Sequence, residues 1–156
     1  MLEILIGKLL PYFGLGLLAT LGSGALATMV FDVPLHGSWL TLLAVSSAFM
    51  LPALGQGLLI SALARNQFIA AQFALVTGFL PAFLLSGFLF EIDSMPLPIR
   101  MLTTIIPARY FIAALQTVFL VGDVWSVLLP NIAAMLAIGA VFFALARART
   151  RKNLEA

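Results

Sequence analysis

Four long stretches without a charged side chain divide this 156-residue chain: 9–31, 33–64, 66–90 and 124–146. A helix rises about 1.5 Å per residue, so the shortest of them, at 23 residues, reaches roughly 34 Å against a bilayer hydrocarbon core of about 30 Å. Each is long enough to cross a membrane. Composition points the same way: 63% of residues are hydrophobic, 9% are charged and the mean hydropathy is +1.16, whereas about a quarter of the residues of a soluble domain are charged. The expected fold is an all-α membrane protein with four transmembrane helices in one domain covering 1–156, with no room for a separate enzymatic or nucleotide-binding domain. The absence of cysteine excludes disulfides, thiolate metal sites and thiol catalysis.

The charges orient the spans. Lys8, Arg65, Arg147, Arg149, Arg151 and Lys152 occupy the N-terminal flank, the hinge between the second and third stretches, and the C-terminal tail. If these segments face the cytoplasm, six of the eight basic residues lie inside and only Arg100 and Arg109 outside, as the positive-inside rule expects. Both termini are then cytoplasmic, at the inner membrane of a cell. Asp32, Glu91, Asp93 and Asp123 fall outside, and Trp39 and Trp125 sit at the outer ends of the second and fourth spans, where indoles prefer the interface. The first stretch exceeds the 7–15 residues of a secretory signal core, so it reads as a span. The second is too long for one upright helix, and Val33 to Ser38 reads as an outer loop. The spans are expected at about 9–31, 39–64, 67–90 and 124–146, with a basic cytoplasmic tail over 147–156.

The segment from Glu91 to Asp123 is neither a span nor a plain loop. Ser94-Met95-Pro96-Leu97-Pro98 stops a helix, Ile99 to Ile106 resumes an apolar pattern around Arg100, and Pro107 breaks it again before Arg109. Tyr110 to Gly122 is uncharged for only 13 residues, a length typical of re-entrant or interfacial helices. An extracytoplasmic re-entrant helical hairpin over about 94–122 is expected, sheltered by the spans because its backbone finds no partners in lipid. Glu91, Asp93, Arg100, Arg109 and Tyr110 are its candidate outer-gate residues. The charges either pair, with Glu91 or Asp93 on Arg109, or mark the water boundary.

Within the spans, Gly16, Thr20, Gly24 and Thr28 recur every four residues and present small side chains along one helix face, suited to close packing inside the subunit or across a dimer. Gln56, between two glycines and one turn beyond Pro52, is a polar group at depth that lines a pathway or bonds a neighbouring helix. Gln67 and Gln72 lie near the cytoplasmic end of the third span, where an interfacial position suffices.

Other chemistries lack their residues. His36 stands alone without the partners of a metal site. Ser46, Ser47, Ser61 and Ser86 have no triad partners, and neither G-x-S-x-G nor a phosphate-cradling G-x-x-x-x-G-K-[ST] occurs. The basic run Arg147 to Lys152 directly follows a span, so it reads as a topology anchor on anionic lipid and not as a nucleic-acid site.

Several segments resemble the permease subunits of ABC-2 type exporters: Gly7-Lys8-Leu9-Leu10-Pro11-Tyr12 entering a span, Leu85-Ser86-Gly87-Phe88-Leu89-Phe90-Glu91 leaving one, Met95-Pro96, and Pro107-Ala108-Arg109-Tyr110-Phe111. They stand in the family's order and spacing over nearly the whole chain. The resemblance implies a permease with both termini inside that works as a homo- or heterodimer with a second permease subunit and is driven by a cytoplasmic ABC ATPase subunit. It implies no cofactor in this chain, ATP and magnesium belonging to the ATPase, and no enzymatic activity of its own. It covers the last four of the family's six spans. The family's first span, large extracytoplasmic domain, second span and coupling helix precede the segment that resembles Glu3 to Tyr12, so a partial permease is implied. Spans this uniformly apolar suit hydrophobic or amphipathic cargo such as drugs or lipid-linked molecules. A non-transporting membrane scaffold, or a channel or secondary-carrier subunit, are the alternatives; a carrier is disfavoured because no charge sits inside any span.

The charge distribution has a direct test. A single cysteine at Ser94 is expected to react with an impermeant thiol reagent in intact cells and one at Asn66 is not, while labelling of Asn66 from outside contradicts the orientation.

Overall fold

The computed structural model describes residues 2–64 and 66–152, and the side chains of 7–64 and 66–150. Arg65, residues 153–156 of the basic tail, and the side chains of Arg151 and Lys152 lie outside the described residues. All regular structure among the described residues is helical. The elements are α1 (Leu2–Met29), α2 (Trp39–Leu63), α3 (Gln67–Ala74) running through a π-helical stretch (Leu75–Phe79) into α4 (Leu80–Leu85), then a 3₁₀ turn (Ile92–Ser94), α5 (Leu97–Thr103), α6 (Pro107–Leu120) and α7 (Trp125–Lys152). Four of these helices are long and apolar enough to cross a bilayer: Gly7–Met29, Trp39–Leu63, Gln67–Leu85 and Trp125–Thr150. They are apolar all round instead of along one stripe, as a lipid-embedded helix must be.

Polar caps mark the helix starts. Ser38 opens α2 by accepting from the Thr41 amide at 3.1 Å, and Asn66 opens α3 by accepting from the Ile69 amide at 2.8 Å. The third span stops at Leu85, short of the expected residue 90, because Gly87 adopts a left-handed φ of +88° and the chain bends through 86–90. Between α5 and α6 the chain turns by 81°. Pro107 does not merely interrupt this segment. It takes the first position of α6, where a missing N–H costs nothing.

The packing centres on α2. Its middle crosses α7 at backbone distance: a Cβ placed on Gly139 would lie 3.0 Å from the Pro52 nitrogen and 3.3 Å from the Leu51 carbonyl carbon, and one on Gly55 would lie 3.0 Å from Phe142 Cβ. Only glycine allows this approach, and close backbone contact replaces the hydrophobic drive that lipid does not provide. The first half of α2 meets α6 and α7 in the buried cluster Leu42, Val45, Ala48, Ala114, Val118, Leu128 and Met135. Phe49 and Phe111 extend this seam with stacked rings 4.2 Å apart. From this register, α6 runs antiparallel along the first half of α2. On another side of α2, a Cβ placed on Gly24 of α1 would lie 3.1 Å from Leu42 Cδ2, and one on Gly16 would run into Met50 Sδ.

A loop latch closes one end of the bundle. The C-terminus of α6 would leave bare carbonyls, and the loop before α2 supplies their donors. The Gly37 amide donates to Val118 O at 2.8 Å, and the His36 amide and Nδ1–H donate to Phe119 O at 3.2 and 2.9 Å. The acceptor is a carbonyl, so the His36 proton sits on Nδ1. Gly122, at φ +112°, turns the chain beside His36 O, and Asp123 Oδ1 then accepts from the Ser38 amide at 3.0 Å. That backbone bond, with the Thr41 and Ser38 hydroxyls, holds the Asp123 carboxyl below its ordinary pKa against a smaller opposing effect of desolvation.

The crossing is testable with paired glycines. Gly139→Ala is expected to destabilise the protein in bicelles by about 1–3 kcal/mol because the added methyl meets rigid backbone. Gly14→Ala, where a Cβ meets nothing within 4 Å, is expected to be neutral or stabilising by up to about 1 kcal/mol. Equal melting behaviour of the two variants contradicts the crossing.

Candidate functional site

Small residues on two facing helices leave a space that larger side chains would fill. Ala53 and Gly57 on α2 face Ala74, Gly78 and Ala82 on the third span, and the α5–α6 turn closes one side with Ile105, Ile106 and Pro107. The cavity measures about 850 Å³, within the range of small-molecule sites. Its other walls are mainly aliphatic and phenyl side chains, including Phe49, Phe73, Phe79 and Phe142. No ionisable side chain is among the lining residues, and Gln56 is the one side-chain amide.

The position of Gln56 follows from a break in the opposite helix. In an α-helix the carbonyl of Thr77 would accept from the amide four residues on, and that residue is Pro81, which has no N–H. The helix widens into the π-helical stretch Leu75–Phe79 just before the proline, with the Leu80 amide reaching back five residues to Leu75 O. Gln56 Nε2 donates to the exposed Thr77 O at 3.0 Å. Thr77 Oγ1 meanwhile bonds back to Phe73 O at 2.6 Å. Of the two roles the sequence left open for Gln56, the structure shows a bond to a neighbouring helix at a cavity wall.

The hairpin charges are arranged differently from the expected pairing. Asp93 pairs with Arg100 at 2.7 Å, both side chains largely exposed, so the ion pair is a weak surface contact. Arg109 makes no bond to Glu91 or Asp93 in the structure; its Nη1 donates to Thr103 Oγ1 at 2.6 Å and reaches Arg100 O at 3.5 Å. Tyr110 OH donates to Thr104 O at 2.8 Å, and the Arg109 guanidinium lies 6.0 Å from the Tyr110 ring centre. Thr103 is fully buried. The physical reason is the turn: α5 ends in bare carbonyls and hydroxyls, and the first residues of α6 are the nearest donors, with a cation suited to a helix C-terminus. Glu91 contributes its backbone carbonyl, which accepts from the Ser94 amide and hydroxyl at 3.1 and 2.7 Å.

The remaining candidates separate by surroundings. Gly16 and Gly24 face α2, whereas the hydroxyls of Thr20 and Thr28 bond within α1, to Gly16 O at 2.9 Å and Ala25 O at 3.1 Å. Gln67 and Gln72 are exposed. Ser86 is buried, and its hydroxyl is the one buried side-chain polar atom without a partner among the described residues. Also among the described residues, no group of His, Asp or Glu could hold a metal ion. Sequence reasoning missed Gly139 and the latch residues Gly37 and His36, since a lone glycine or histidine carries no period. It had the means to find the Thr77–Gln56 bond, because a proline four residues after Thr77 already marks an orphaned carbonyl.

A double-mutant cycle tests the cavity wall. Gln56→Leu is expected to cost about 1 kcal/mol by stripping Thr77 O of its donor. In a Pro81→Ala background the helix regains its own amide donor, and the cost of Gln56→Leu is expected to fall close to zero. Strictly additive unfolding free energies contradict the bond.

Comparison with known proteins gives a consistent picture. The family model described as "ABC-2 family transporter protein" matches residues 2–148. The chain is 48% identical over 153 residues, 98% of its length, to the "Probable multidrug ABC transporter permease YbhS" of Escherichia coli strain K12, and 28% identical over 149 residues, 93% of its length, to the "Probable multidrug ABC transporter permease YbhR" of the same strain. It spans 41% and 40% of those two relatives. No solved structure matches it. With a family match over nearly its whole length, four apolar spans and a proline-punctuated helix pair before the last of them, the chain belongs to the ABC-2 family of transporter proteins.

Proposed function

We propose that this chain is part of the membrane-spanning permease subunit of an ATP-driven exporter, moving hydrophobic or amphipathic molecules such as drugs or lipid-linked compounds outward across the inner membrane. The observation that carries the cargo class is the apolar cavity of about 850 Å³ bounded by α2, the third span and the α5–α6 turn. Family membership supplies the energy source by analogy: a cytoplasmic ATPase subunit binds and hydrolyses ATP, and two permease subunits rearrange in response. The relatives named as multidrug permeases support the cargo class.

In this reading both termini face the cytoplasm and α5–α6 is a re-entrant hairpin on the outer side. Four observations support it. The third span ends, and α7 begins, at the end of the bundle that carries the latch, so the hairpin leaves and returns on one side. At 14 residues, α6 is about 21 Å long and too short to cross. The hairpin apex at Ile106 and Pro107 shares the cavity with Gln56, near the middle of α2. The exposed Arg147 and Arg149 of α7 lie at the opposite end, as the positive-inside rule expects of the cytoplasmic side. Arg109 and Tyr110 then hold the hairpin shut as an outer gate, and Arg100 and Asp93 lie at its water-facing edge.

The chain purified alone is expected to hydrolyse no ATP. Joined to the remaining part of a permease of its relatives' length and to the ATPase, it is expected to support export that requires ATP. There Arg109→Ala is expected to reduce export about tenfold, because a charge-assisted bond of about 1.5–3 kcal/mol is enough to shift the hairpin's closed population by that factor. Arg149→Ala, with other basic residues beside it in the tail, is expected to leave export nearly unchanged. Equal tolerance of the two substitutions at matched expression removes the hairpin from the mechanism.

A further inference from the structure

We infer that the cavity between α2, the π-helical break and the α5–α6 turn is a ligand site for an uncharged amphipath, whose apolar body lies among the phenyl and aliphatic walls and whose single hydroxyl, carbonyl or amide bonds the Gln56 carboxamide. The inference deepens the permease reading, on which it rests only for treating the bound molecule as cargo.

Three features define the ligand. The first is the polar partner. Gln56 is held in place from behind by Thr77 O, which can only accept, so the carboxamide orientation is settled: Nε2 faces the helix and Oε1 remains to accept from a guest. The second Nε2 hydrogen is also available, so a ligand donor or acceptor finds a match. An amide in an apolar wall rewards one well-placed polar group and penalises a ligand that leaves it dry.

The second feature is charge. None of the residues lining the cavity carries an ionisable side chain. A charged group brought into it would lose hydration with no counter-ion to replace it, which excludes cations and anions from the interior. The third feature is open volume at a defined point. Gly57 lines the cavity, and a Cβ there would meet nothing within 4 Å, so a side chain added at this position starts from open space. A Cβ placed on Gly78, opposite, would meet only Gln56 outside its own helix turn, with Nε2 at 3.5 Å. The free volume therefore lies beside the one side-chain amide of the walls.

The test uses the full chain in phosphatidylcholine nanodiscs and a phenyldiazirine photoprobe bearing one alcohol. It is compared with the same body bearing a methyl group or a trimethylammonium in place of the hydroxyl. Saturable adducts are expected on α2 around Gln56 and on the third span around Thr77, with the alcohol favoured about fivefold over the methyl probe and the cation excluded. Gly57→Phe, which fills the cavity, is expected to cut this labelling about tenfold, and Gly57→Leu by a smaller factor. Gln56→Leu is expected to keep the labelling but erase the preference for the alcohol. Unsaturable labelling spread over lipid-facing α1 residues such as Leu15 and Leu18 would mean that acyl chains and probe share an ordinary lipid surface, and overturns the site. So does saturable labelling that stays at the unmodified chain's level in both Gly57→Phe and Gly57→Leu variants with wild-type melting. The export measurement separates the two readings: labelling as described without ATP-dependent export in the assembled transporter keeps the site and removes the permease reading. Export that survives Gly57→Phe unchanged keeps the permease reading and removes the site as the cargo's.

Discussion

Lipid offers no hydrogen bonds, so a carbonyl released by a helix break needs a donor from elsewhere in the protein, and at three breaks in this chain the structure supplies one. That constraint accounts for most of the polar contacts between elements. Pro81 strips Thr77 O of its helical partner and Gln56 replaces it from α2. The end of α5 is met by Arg109 and Tyr110 from the start of α6. The end of α6 is met by Gly37 and His36 from the loop before α2. In each case the donor sits on the element packed against the break, so one bond both repairs a helix and joins two of them. Pro52 inside α2 leaves Ala48 O without its helical amide as well, and Ser86 keeps a buried hydroxyl without a partner among the described residues.

The same constraint explains why the polar residues of the spans are few and specific. A bilayer protein needs donors only where its helices fail, and here the helices fail at prolines and at the short α5–α6 pair. The glycines serve the other half of the problem. Where Gly55 and Gly139 let α2 and α7 touch, the bundle gains packing that no hydrophobic drive would provide between helices in lipid. Where Ala53, Gly57, Gly78 and Ala82 face one another without closing, the bundle has a cavity instead. Small residues thus produce tight contact on one side of α2 and empty space on the other, and what lies opposite decides which.

The spans were legible in the sequence because hydropathy is a local property: an uncharged stretch of sufficient length has one stable solution in a bilayer. The break around Pro107 was legible too, since proline acts on its own helix. What could not be read were relations between distant residues. Arg109 invited pairing with an acid by charge alone, yet its bonds go to Thr103 and the end of α5, a few residues away, because a bare helix terminus was closer than either carboxylate. His36 looked like an idle loop residue because its partner, Phe119 O, lies 83 positions away. Gly139 belongs to no repeat on α7; its meaning comes from Pro52 on α2. Gln56 was singled out as a polar group at depth, and its partner follows from counting four residues back from Pro81.

The bond from Gln56 to Thr77 O joins the broken helix, the cavity wall and the proposed ligand contact, and its carbonyl can be observed directly. Thr77–Gly78 is the one Thr–Gly pair in the chain, so labelling with carbonyl-¹³C threonine and ¹⁵N glycine isolates a single NMR correlation in nanodiscs. If Gln56 donates to this carbonyl, its carbon resonance lies downfield in the unmodified chain and moves upfield in Gln56→Leu. An unchanged Thr77 carbonyl resonance in a folded Gln56→Leu variant would show that the broken helix finds its donor elsewhere, and would contradict the satisfaction of helix breaks by neighbouring elements where it matters most.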